Sequence, residues 1–123
     1  MQGCRKAPFL LIGSMRCTME KHNIFNQIPA DLTHEVFEPL VDQDGVLVER
    51  IISKKHVTPE GQWYDQDRSE WVMVLQGEAK LLFEDSEVVH LNPGDHINIP
   101  AHCKHRVIWT SDTTETLWLA VHY

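Results

Sequence analysis

The sequence predicts a single all-β domain, closed into an antiparallel barrel or sandwich, and three observations carry that expectation. Short apolar runs recur at intervals of roughly 8–12 residues. Turn-forming clusters such as Asp44-Gly45, Gln76-Gly77 and Asn92-Pro93-Gly94-Asp95 separate them. No stretch sustains the 3.6-residue apolar period of an amphipathic helix. With 123 residues the chain suits one hydrophobic core and not two. Residues 1–21 are expected to be a flexible extension and 22–123 the single domain.

Taken in order, residues 22–34 read as an irregular lead-in, with one helical turn that packs Phe25 and Ile28 on the core. Residues 36–41 form the first strand candidate. Asp42-Gln43-Asp44-Gly45 closes it, because Asp-Gly between two apolar runs signals a hairpin in which Gly supplies a positive φ cheaply. Residues 46–53 follow, rich in β-branched side chains. Residues 54–62 contain Pro59 and Gly61 and read as a loop or poorly paired edge. Further strands are expected over 63–66, 70–75, 78–83, 87–91, 96–99, 105–109 and 115–123. In Asn92-Pro93-Gly94-Asp95, Pro and Gly sit at the central positions of a type II turn.

Composition excludes several classes. The formal net charge is -7, a poor match for nucleic acid or an anionic membrane, which need clustered Lys and Arg. No apolar run reaches the roughly 18 residues of a membrane span. Phe9-Leu10-Leu11-Ile12 is short, is flanked by Pro8 and Gly13, and lacks a small-x-small cleavage site, so secretion is not expected. Met15 and Met19 are alternative starts. Cys4, Cys17 and Cys103 have no regular spacing and read as free thiols in a reducing, cytoplasmic setting.

The chemistry concentrates between Gly61 and Arg106. On an extended strand Glu70, Val72 and Val74 share one face and Trp71, Met73 and Leu75 the other, so Glu70 is the lone charge on a strand covered on both sides. A carboxylate at the mouth of such a strand needs a cation, a metal or several donors, unless it forms a surface ion pair with Arg68 or Arg106. His105 shares its face with Val107 and Trp109, which makes Trp109 a candidate pocket wall. Asp65-x-Asp67-x-Ser69 lacks the later ligands of a calcium loop and reads as solvated. His56, His90, His96 and His122 belong to no constellation of their own.

Across roughly residues 36–123 the chain resembles a small single-domain cupin, a double-stranded β-helix or jelly-roll barrel. The family's first motif, G-x5-H-x-H-x3/4-E-x6-G, is matched by Tyr64-x-Gln66-x3-Glu70-x6-Gly77, with Tyr64 and Gln66 replacing both histidines and Thr58 the opening Gly. The second, G-x5-P-x-G-x2-H-x3-N, is matched by Gly94-x5-Pro100-x-His102-x2-His105, with His102 replacing the Gly and Trp109 the Asn.

In cupins with the full set, three histidines and the Glu bind a divalent transition metal inside the barrel. The resemblance therefore implies a metal site here at Gln66, Glu70 and His105, for Zn, Mn, Fe or Ni, in a pocket shared with Tyr64, His102 and Trp109. Exchanging two imidazoles for oxygen donors shifts preference toward harder ions. His102 and His105 are three apart and face opposite ways on a straight strand. Three readings stay open: a metal-binding cupin acting on a small polar metabolite, with oxygenase or isomerase chemistry; a metal-free ligand-binding or sensing module; and a metal-free isomerase or epimerase using His105 and Tyr64 as acid and base. The resemblance also implies a homodimer. No Ser/His/Asp pattern or phosphate loop supports hydrolysis or phosphoryl transfer.

Overall fold

Two turns show how the sequence sets the architecture. Asp44 and Gly45 both take positive φ, 53° and 79°, the two-residue type I′ turn that matches strand twist. They join β1 (Val36–Gln43) to β2 (Val46–Ser53) in register. At Gly77 (φ 80°) an added Cβ would stand 2.5 Å from Thr116 Oγ1 and 2.8 Å from Thr116 Cα. Only glycine lets the turn into the fourth strand pass so close to the last one.

The computed structural model describes residues 17–123. Within them the remaining strands are β3 (Glu70–Gln76), β4 (Ala79–Phe83), β5 (Val88–Leu91), β6 (His96–Ile99), β7 (His105–Thr110) and β8 (Thr116–His122). A five-stranded antiparallel sheet in the order β1-β2-β8-β3-β6 faces a three-stranded one in the order β5-β4-β7. This all-β, two-sheet arrangement is the expected jelly roll. The turn at residues 92–95 is pinned twice: Asp95 N donates to Asn92 O (2.9 Å), and Gly94 N donates to Val74 O (2.7 Å) on β3. Ile51, Val72, Val74, Leu81, Leu91 and Trp118 are among the side chains that fill the space between the sheets.

Several expectations change. Residues 63–66 make no strand, only an isolated bridge between Tyr64 and His105. The segment crosses the end of the barrel, and after one exchange with His105 its next backbone partner is His102, through Gln66 O. In the lead-in, Phe25 is half exposed and does not pack on the core. The lead-in is held through polar groups: buried Arg50 donates to the carbonyls of Ile24, Asn26 and Gln27 and pairs with Glu38. Of the thiols, Cys103 is free, whereas Cys17 is disulfide-bonded. The expectation for residues 1–16 lies outside the described residues. No described helix is long and apolar enough to cross a membrane.

Candidate functional site

Strand alternation brings polar groups to one end of the space between the sheets. Glu70 begins β3 on the same face as Val72 and Val74, and its cross-strand partner on β8 is His122. On β2, Glu49 shares the inward face with Ile51, whose partner is Trp118. His105 opens β7 from the opposite sheet. These side chains line a chamber of about 70 Å³, together with Glu35, Tyr64 and Gln66 and an apolar wall that includes Val72, Leu81 and Trp118. Such a space holds a few waters or one small polar group.

Two carboxylate–imidazole pairs face this chamber. His105 Nδ1 donates to the carbonyl of Cys103 (2.9 Å), which directs Nε2 toward Glu70 Oε1 at 3.5 Å. His122 Nε2 donates to Glu49 Oε1 at 2.9 Å. All four side chains are buried. Burial works against charging His105, but the bonds to Glu70 and to the Cys103 carbonyl, with the Glu70 charge, outweigh it and raise its pKa above the usual 6.5. Tyr64 is held to His105 by backbone bonds, and the two rings stack at 5.5 Å. Burial first, then the charges of Glu35 and Glu70, push its phenol above the ordinary value of 10.0, so at neutral pH it is a hydrogen-bond donor. Glu35 is anchored by Ser53 Oγ (2.5 Å), which in turn accepts from Trp118 Nε1 (3.1 Å).

The structure therefore brings Tyr64, Gln66, Glu70 and His105 to one chamber. Neither Arg68 nor Arg106 pairs with Glu70: Arg68 donates to the Gly45 carbonyl, and Arg106 donates to Thr58 O and lies over the Trp63 ring. His102 and Trp109 stand elsewhere. His102 takes positive φ (62°), is exposed, and meets Asp65 at 3.2 Å on the outside. Trp109 is turned outward by a bulge. Leu81 pairs with Val107 but Lys80 with Trp109, so Ile108 is an extra residue that breaks the alternation linking Trp109 to His105. Its ring lies under Lys80 and against His90, away from the chamber.

Glu49 and His122 are the residues that sequence reasoning missed. Alternation did carry a signal: His122 shares the face of Trp118 and Ala120, and Glu49 that of Ile51. Their meeting spans 73 residues of sequence and follows from strand order alone.

As donors for a metal, the residues fit in part. Ligand bonds of about 2.0–2.2 Å at a tetrahedral angle set two donors about 3.4 Å apart, close to the separation of His105 Nε2 and Glu70 Oε1. The Nδ1–carbonyl bond fixes the tautomer that leaves Nε2 free to ligate. No group of three or more His, Cys, Asp or Glu converges on one point among the described residues, so a third ligand would be the weaker amide of Gln66.

The model of the cupin domain family matches residues 54–122. No curated protein is matched by the chain. Among solved structures, a Ralstonia eutropha JMP134 protein described as a putative mannose-6-phosphate isomerase is 43% identical, covering 85% of this chain and 97% of its own, with a TM-score of 0.81. A cupin superfamily protein of Desulfitobacterium hafniense DCB-2 is 20% identical over 77% of this chain and 82% of its own, with a TM-score of 0.64. The protein TT1209 of Thermus thermophilus is 17% identical over 85% of this chain and 96% of its own, with a TM-score of 0.69.

Proposed function

The chain belongs to the cupin family, and on that premise we propose that it binds a small polar metabolite at the polar end of the barrel and moves protons on it. One observation carries this reading: a buried imidazole with a raised pKa, a carboxylate and a neutral phenol border one small chamber. Glu70 takes a proton from a carbon beside a carbonyl, and the C–H electrons form a carbon–carbon double bond. His105 Nε2–H or Tyr64 O–H gives a proton to the carbonyl oxygen. Return of a proton to the former carbonyl carbon, with the hydroxyl on the first carbon giving up its proton to His105 or Tyr64 and becoming the new carbonyl, completes an isomerisation. Return to the other face of the first carbon, with the proton on the original oxygen handed back, completes an epimerisation. The isomerase name of the Ralstonia relative is in keeping with this chemistry. The test is hydrogen–deuterium exchange in D₂O, followed by NMR over a panel of two- to six-carbon aldoses, ketoses and amino sugars. Exchange that drops about 10²–10⁴-fold in Tyr64→Phe or Glu70→Gln supports the reading. No exchange in any member, or exchange indifferent to both variants, refutes it.

A second reading is favoured by the 3.5 Å separation of Nε2 and Oε1. A divalent ion held by Glu70, His105 and Gln66 would polarise a carbonyl or bound water. Elemental analysis of protein purified without chelator tests it. Near-stoichiometric Zn, Mn, Fe or Ni that disappears in His105→Ala is expected on this reading, and metal-free protein even after soaking contradicts it. The homodimer implied by family membership has support in edge strand β1, where Leu40 and Val41 are about half exposed. Sedimentation at micromolar concentration distinguishes dimer from monomer.

A further inference from the structure

Glu35 is a carboxylate of the chamber that the proton transfer proposed above leaves unused. It precedes β1, outside the residues 54–122 that the family model matches, and lines the same space as Tyr64 and Glu70. Its setting fixes what it can offer. The Trp118 indole N–H donates to Ser53 Oγ (3.1 Å), and the single hydroxyl hydrogen of Ser53 goes to Glu35 Oε2 (2.5 Å). Ser53 and Trp118 are 0% and 4% exposed, which holds this run of donors in place. Oε2 is thereby an occupied acceptor, and no donor among the described residues reaches Oε1.

The charge of the chamber is one-sided. Glu35, Glu49 and Glu70 line it, and among the described residues no lysine or arginine does. Even with His105 and His122 both protonated, three carboxylates leave the lining net negative. A phosphate or carboxylate entering it would meet that charge between apolar walls, where water screens little. A hydroxyl would not, and it can donate to the open oxygen of Glu35. Size narrows the class further. At about 10–15 Å³ for each water-sized atom, the chamber of about 70 Å³ takes about five to seven heavy atoms, the size of a three-carbon hydroxy-carbonyl compound.

We propose that Glu35 is the specificity-determining residue of this chamber: its Oε1 accepts from a hydroxyl of a three-carbon hydroxy-carbonyl compound, and the lining turns away carboxylates and phosphate esters. This rests on the chamber being the binding site proposed above. It sets the ligand class apart from the phosphorylated sugar in the name of the Ralstonia relative. The hydroxyl end is held at Glu35, and the carbonyl faces the neutral Tyr64 phenol, on which the Glu35 charge acts more strongly than that of Glu70.

The experiment titrates dihydroxyacetone, D-glycerate and dihydroxyacetone phosphate into the full chain. NMR of the Tyr64 and His105 ring signals reports binding, and deuterium uptake in D₂O reports proton transfer. Dihydroxyacetone is expected to bind at least about tenfold tighter than either anion. Glu35→Gln keeps an acceptor for Ser53, turns an N–H toward the chamber and removes one negative charge. Dihydroxyacetone should then bind about 10- to 100-fold weaker, while both anions bind unchanged or tighter; a merely structural role would weaken all three alike. Hydroxyacetone, which lacks one hydroxyl, tests the same contact in the wild type should the variant not fold, and is expected to bind about tenfold weaker than dihydroxyacetone. An anion that binds as tightly as dihydroxyacetone, hydroxyacetone that does so, a Glu35→Gln variant that binds all ligands as the wild type does, or no binding of dihydroxyacetone overturns the inference. If the expected affinities are found and no deuterium enters dihydroxyacetone, the ligand class stands and the proton-transfer reading falls. If deuterium enters at a rate that depends on Glu70 and is indifferent to Glu35→Gln, the proton-transfer reading stands and this inference falls.

Discussion

The inward rows of β3 and β8 each begin polar and end apolar. On β3 the row runs Glu70, Val72, Val74; on β8, from the opposite direction, it runs His122, Ala120, Trp118. At the apolar end the aliphatic side chains pack without a partner requirement, Val74 and Ala79 lose all solvent contact, and the Trp118 indole N–H is satisfied by Ser53 Oγ. At the polar end each buried carboxylate has a specific imidazole partner, Glu70 with His105 and Glu49 with His122. The apolar end stabilises the barrel. The polar end is tolerated by it, because two well-packed hydrophobic residues would serve stability as well as a buried ion pair does. Carboxylates and imidazoles kept there despite desolvation are the groups that the proposed proton transfer would use.

The contrast can be broken first at the polar end. Glu70→Ala leaves His105 buried without its countercharge, and a loss of about 3–5 kcal/mol is expected by denaturant unfolding near pH 6. At the apolar end Leu81→Ala removes a side chain that is 2% exposed and leaves a cavity, at about 2–5 kcal/mol. Its effect should be the same at pH 5 and pH 8, whereas that of Glu70→Ala should not.

The pH dependence follows from His105. Its folded pKa lies above the unfolded value of about 6.5. The stabilisation from this group is therefore fully present below pH 6.5 and is lost as pH rises through the folded pKa. NMR titration should place the His105 midpoint above 6.5 in the wild type and lower in Glu70→Gln. An unchanged midpoint would mean that Glu70 does not govern the proton. The smallest effects belong outside the barrel. His102→Ala breaks only an exposed contact with Asp65, and stability should stay within about 0.5 kcal/mol.

The same two ends differ in how far the sequence disclosed them. Asp44-Gly45, Gly77 and Asn92-Pro93-Gly94-Asp95 are local signals whose conformations follow from residue type, so a closed antiparallel β domain was legible from them, and the jelly roll from the resemblance to cupins. Glu70 and His105 were legible through spacing. Glu49 and His122 were not, because their contact is made only when β2 and β8 lie side by side. Trp109 was misplaced for a different reason: alternation holds only in an unbroken ladder, and the extra residue at Ile108 inverts it.

The buried Glu70–His105 pair is expected to serve binding and not folding. Equilibrium unfolding of the double variant Glu70→Met/His105→Leu, with metabolite binding measured on the same sample, tests it most directly. Stability equal to the wild type or up to about 1–4 kcal/mol higher, with binding abolished, is expected. A double variant as unstable as Leu81→Ala, or one that still binds, would contradict it.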